Sequence, residues 1–199
     1  MKINRLAVRL CMCALVFFRA LSLYADGKDS LSRKMIHMAG IDIKPAYIFP
    51  THEFFAGNNA TFAPIRKNLS VHLKYGFKFA PDTYFGQMYP HAVQGIGVGY
   101  NTFFHSSELG NPWSVYAFQT SRIASLTPRL SLDYEWNFGA SFGWKKYDAE
   151  SNPYNRVVGS KMNAYIHLSF LLNWQLDTQT NLRAGIGATH FSNGNTGYP

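Results

Sequence analysis

The chain has 199 residues, of which 47% are hydrophobic, 16% aromatic and only 15% charged, and its mean hydropathy is near zero. This excludes a bundle of membrane helices, which would be far more apolar, and suits strands that alternate apolar and polar residues. The formal charge of +8 does not describe a nucleic-acid surface, because Lys2, Arg5, Arg9 and Arg19 crowd the N-terminus and without them it falls to about +4.

Residues 1–25 are predicted to be an export signal and 26–199 a single domain. Lys2, Arg5 and Arg9 give a basic start, Leu10 to Phe18 a short apolar core, and Ala25 a cleavage point before Asp26. The apolar run, interrupted at Arg19, is too short to span a bilayer as a helix. Cys11 and Cys13 both lie inside this segment. The mature chain would then hold no disulfide and no thiolate metal site.

Beyond the signal the dominant period is two, that of a strand with two different faces. Candidate strands fall near 40–49, 69–79, 93–105, 112–122, 130–144, 162–174 and 180–192. The clearest runs Leu130, Leu132, Tyr134, Trp136, Phe138, Ala140, Phe142, Trp144, all apolar, against Ser131, Asp133, Glu135, Asn137, Gly139, Ser141 and Gly143. Ten strand steps from Tyr134 to Trp144 cover about 34 Å, which on tilting becomes the height of a membrane barrel's lipid-facing band. The predicted fold is all-β, an antiparallel up-and-down transmembrane β-barrel. About seven strands are present and about eight expected, since bacterial membrane barrels close with even numbers. The connections at 50–67 and 145–158 are long, as outward loops should be. Gln175 to Thr180 is a short turn, and the length of 80–92 breaks the rule for an inward one.

The chain ends His190-Phe191-Ser192-Asn193-Gly194-Asn195-Thr196, then Pro199. Alternation puts His190 and Ser192 on one face, with Cα atoms about 6 to 7 Å apart, so that an imidazole there can take the proton of a hydroxyl. Both continue the apolar face of Leu182, Ala184, Ile186 and Ala188. Asn193 and Gly194 are candidates to present backbone amides to an oxyanion, or to form a simple turn. Asp133 and Glu135 read as charges lining a hydrated interior. His37, His52, His72, His91, His105 and His167 lack metal-ligand spacing. Gly95, Gly97 and Gly99 read as small interior residues, since no helix follows them to make a phosphate loop. Lys145 and Lys146 sit at an outer strand end, where they would meet either solvent or lipid phosphates.

The terminal block resembles the signature of the lipid A 3-O-deacylase (PagL-type, acyloxyacyl hydrolase) family. The similarity extends to Asn111-Pro112-Trp113, Tyr134-Glu135-Trp136-Asn137-Phe138-Gly139, Phe142-Gly143-Trp144 and Gly159-Ser160-Lys161, in the manner of its bacteroidete branch. The resemblance implies an outer-membrane barrel of about eight strands, an esterase that removes an acyl chain from the lipid A part of lipopolysaccharide. It implies Ser192 as nucleophile and His190 as base, without metal or cofactor. It also implies a third, acidic member just past a Pro-Asn pair; this sequence stops at the proline, so a chain cut short at its C-terminus is expected. Two other barrels share the alternating strands: a non-catalytic outer-membrane protein, structural or a small porin, and a secreted lipid-binding barrel with its apolar face inward.

Overall fold

The computed structural model describes residues 10–21 and 34–193. It is built from β1 (Leu10–Leu21), β2 (Met35–Ile48), β3 (Lys67–Phe79), β4 (Val93–Thr102), β5 (Gly110–Ser125), β6 (Leu130–Trp144), β7 (Met162–Gln175) and β8 (Thr180–Ser192), with short helices α1 (Glu53–Ala56) and α2 (Tyr84–Met88) in two connections. Strands β2 to β8 pair with their sequence neighbours, all antiparallel, in one curled sheet. These are the predicted strands, each within a few residues of its expected place.

The eighth strand comes from an unexpected place. Strand β1 pairs antiparallel with β2 and with β8, running from Leu10↔Phe191 to Leu21↔Thr180, and closes the barrel. It is the segment predicted to be the apolar core of an export signal. That signal's basic start and its cleavage point at Ala25 lie outside the described residues. A short apolar run has the same hydropathy in either role. Here it satisfies the two rows of backbone groups that an open sheet would leave unpaired.

The wall is apolar outside and polar inside. Ile41, Ile43, Val71, Leu73, Ile96, Val98, Phe138, Ile166, Leu168, Phe170 and Ile186 all point outward and are exposed, Leu73 at 61% and Ile186 at 64%. The inward positions of the same strands carry Asp42, Lys44, Ser70, His72, Lys74, Glu135, Asn137, His167 and Thr189, all buried. This is the reverse of a soluble barrel that shelters a lipid in an apolar interior. Aromatic side chains band the outside at the loop end, with Tyr47, Tyr100 and Trp113, while Tyr75 and Trp136 lie nearer mid-height and Trp174 near the other end.

The interior is filled rather than open, as an eight-stranded barrel permits. At mid-height Lys74 pairs with Glu135 and lies 2.9 Å from Asp42, while Thr120 donates to Glu135 at 2.9 Å. Above this layer the Tyr116 hydroxyl meets His72 Nδ1 at 3.0 Å, and His167 meets the Thr189 hydroxyl at 2.8 Å. Gly97 and Gly99 face these rings: a Cβ at Gly97 would collide with Tyr116, and one at Gly99 with His72. The alternating glycines of β4 are therefore space for large inward side chains. Higher still, Tyr165, Phe191, Trp144 and Phe103 pack ring against ring with centroids 4.9 to 5.5 Å apart, Trp144 and Phe191 edge to face and the other pairs tilted.

One predicted position is corrected. The alternation of β6 places Trp144 outward with Phe142, yet Trp144 is only 5% exposed and turned inward. The register of β5 and β6 shifts between Gly110 and Trp113, and Gly143 takes φ 90°. The extra residue lies on β5, and opposite it the positive φ of Gly143 breaks the alternation of β6 between Phe142 and Trp144.

Candidate active site on the outer wall

Strand β8 holds His190 and Ser192, both half-buried, on the outward face it shares with Ile186 and Leu182. Their intervening neighbours Thr189 and Phe191 are buried inside. The inward pair fixes the orientation of the outward one. Thr189 is bonded to His167, and Phe191 is wedged between Trp144 and Tyr165. The strand cannot rotate without tearing these from the core. The two predicted residues thus share one face of the strand. Asn193 follows at the strand end, and Gly194 lies outside the described residues.

The register defines what surrounds the pair. Ser192 lies opposite Ala164 of β7, which lies opposite Ala140 of β6. His190 lies opposite Ile166, which lies opposite Phe138. On the far side, Phe142 lies opposite Met162. A row of small side chains therefore crosses the wall between two rows of large ones. With neighbouring strands about 4.8 Å apart, the two steps from Ala140 to Ser192 span about 10 Å. The result is a shallow apolar trough whose end is the Ser192 hydroxyl.

Ser192 and Asn193 also line a small recess of about 20 Å³ with the buried Phe55, Trp144, Phe191, Val157, Val158 and Asn163. The two valines belong to the long segment after β6, which folds over the barrel end. There Asn155 donates to the carbonyls of Glu108 and Lys145 at 2.7 and 2.9 Å, and Asn152 donates to Glu108 O at 2.9 Å. The 49–66 segment brings in Phe54, Phe55 and Ile65, which join Leu109 and Phe103 as an apolar plug. Its helix α1 starts with Phe54 N donating to His52 Nδ1 at 3.1 Å. Burial, the largest influence on it, lowers the His52 pKa below its ordinary value and so favours the neutral ring that this bond requires. The Asp148 carboxyl sits below the usual carboxylate range, chiefly because Ser151 N donates to it at 2.8 Å.

The other sequence candidates fall elsewhere. Asp133 and Glu135 are inside the barrel, each beside a cation, far from any role on the outer face. Among the described residues no group of three or more His, Cys, Asp or Glu could hold a metal ion. Lys145 donates to Ser107 O at 3.1 Å and so ties two loops together. Val157, Val158 and Asn163 were not singled out in the sequence; a loop folding back onto a strand end leaves no periodic signal. Comparison of the chain with family models, curated proteins and solved structures finds no match.

Proposed function

We propose that this barrel is an outer-membrane serine esterase that removes an acyl chain from lipid A, with Ser192 as nucleophile and His190 as base. The observation that carries the reading is the position of the pair. A histidine and a serine two residues apart face outward from an apolar wall, at the end of a trough of small side chains. A water-soluble substrate would have no reason to meet a site there. A membrane lipid would, because the apolar wall needs a lipid solvent, and an acyl chain of that solvent can lie in the trough beside the hydroxyl. In this reading the end bearing the long loops faces outward, where lipopolysaccharide resides.

The chemistry runs in two steps. His190 takes the proton of Ser192, whose oxygen attacks the ester carbonyl; the alcohol leaves with a proton from the imidazolium, and an acyl-enzyme remains. Water, deprotonated by the same imidazole, then attacks the acyl-enzyme and frees the fatty acid and the serine. Asn193 and Gly194 supply backbone amides to the oxyanion in both steps. The filled interior speaks against a diffusion pore, the main non-catalytic rival. Mass spectrometry of lipid A from cells carrying the full chain, or its Ser192→Ala form, tests the assignment. Loss of one acyl chain only with the unmutated protein is expected; equal loss with both would sink it.

A further inference from the structure

We propose that the barrel mouth opposite the long loops binds a small oxyanion of the phosphate class. This mouth, at the end bearing the short turns, holds a cavity of about 170 Å³ between the strand ends and the 80–92 segment. Since a water occupies about 30 Å³, there is room for a tetrahedral oxyanion and some of its hydration. Lys78, Arg122 and Arg183 reach it from β3, β5 and β8, with the hydroxyl of Thr120 and the amides of Asn173 and Asn181 between them.

The charge inside the wall argues for an anion. Asp42, Asp133 and Glu135 bring three negative charges inward, and Lys44, Lys74, Lys78, Arg122 and Arg183 bring five positive ones. The described interior therefore carries an excess of two positive charges, in a space where uncompensated charge is costly. Asp42 and Glu135 are committed at mid-height to the lysines and Arg183. Among the described residues lining the mouth the one carboxylate is Asp133, which lies 3.7 Å from Arg122 Nε, too far for a hydrogen bond. That Nε is buried and makes no hydrogen bond within the protein. Its Nη1 donates to Ser125 Oγ at 3.4 Å, and a guanidinium with an unused Nε donor, beside Lys78 and Arg183, suits the oxygens of an oxyanion.

The cavity also has a one-sided approach. The long loops plug the opposite end with Phe54, Phe55, Ile65 and Leu109, so an ion reaches the interior from the turn end. His91 lines the cavity, and burial lowers its pKa, which fits its omission from the cations counted above. Because the cavity lies inside the wall, its ligand is a free oxyanion rather than a lipid headgroup. None of this depends on the esterase reading.

Calorimetric titration of inorganic phosphate into the full chain, folded in a maltoside detergent that carries no phosphate, tests the site. One saturable site is expected. Arg122→Gln should weaken it at least about tenfold and Lys78→Gln several-fold, while Lys67→Gln at the loop end should leave it unchanged. Folding of each variant is checked by its heat-sensitive electrophoretic mobility, and Lys78→Gln decides if Arg122→Gln does not fold. No saturable binding to the unmutated protein, binding undiminished in the folded variants, or loss in Lys67→Gln would each overturn the proposal.

Discussion

The two ends of this barrel solve opposite problems. The end with the long loops is sealed by side chains from the 49–66 and 145–161 segments over the ring stack of Trp144, Phe191 and Tyr165. The end with the short turns keeps a polar cavity lined by arginine, lysine and asparagine. The difference teaches that, among the described residues, the sealed end offers its outer wall rather than an open interior to a ligand. Among the described residues, the polar cavity that could admit an ion is at the turn end.

The comparison can be broken most sharply at Ser192. Ser192→Ala should cut fatty-acid release at least about a thousandfold, equivalent to about 4 kcal/mol, while the barrel still inserts. Retained release would move the chemistry off the sealed end. Next comes the layer that separates the ends. Glu135→Leu leaves Arg183 without its buried carboxylate and Lys74 with Asp42 alone, and should cost about 3 to 5 kcal/mol in urea unfolding from micelles. A neutral result would mean that the interior is wet through, and that the two ends are not isolated. Phe191→Ala empties the ring stack and should cost about 3 to 5 kcal/mol by the same assay.

The outer wall between the ends offers a subtler test. Leu73 is 61% exposed, so in water Leu73→Arg would change stability little. Facing lipid near mid-height, it should cost about 2 to 4 kcal/mol in vesicles. The smallest effect belongs to the loop end. Hydrogen bonds from Ser151 hold the Asp148 carboxyl below the usual carboxylate range. A depressed folded pKa means that its contribution is present above the unfolded value and is lost as pH falls through the folded one. Amide exchange at Ser151 should therefore accelerate only under strong acid. In Asp148→Asn the acid response should vanish; if it persisted there, another group would govern this loop.

Much of this was legible from period two alone. Alternation put Leu73, Phe138, Ile166 and Ile186 on one face and Lys74, Asn137, His167 and Thr189 on the other, and it set His190 and Ser192 side by side. It failed where a backbone irregularity reversed the faces, at Gly143 and Trp144. It was also silent about partners across the interior: nothing in either strand tells Lys74 of β3 that it will meet Glu135 of β6. The trough was legible only once register was known, since Ala140, Ala164 and Ser192 are unremarkable until they line up. The recess beside Ser192 depends on Val157 and Val158, whose position is set by asparagine side chains bonding to loop carbonyls rather than by hydrophobic pattern.

The ion pair at mid-height also bears on how the barrel is assembled. Each hairpin from β2 to β8 joins strands adjacent in sequence, so its ladder can form early and locally. Lys74 and Glu135 are 61 residues apart and belong to strands that do not pair. They meet only once the sheet has curled, and until then each charge needs water. Desolvation thus discourages a half-curled sheet from entering an apolar phase. In the outer-membrane reading proposed above, the buried pair would act as a checkpoint on insertion, letting the apolar wall leave water as a closed cylinder rather than strand by strand.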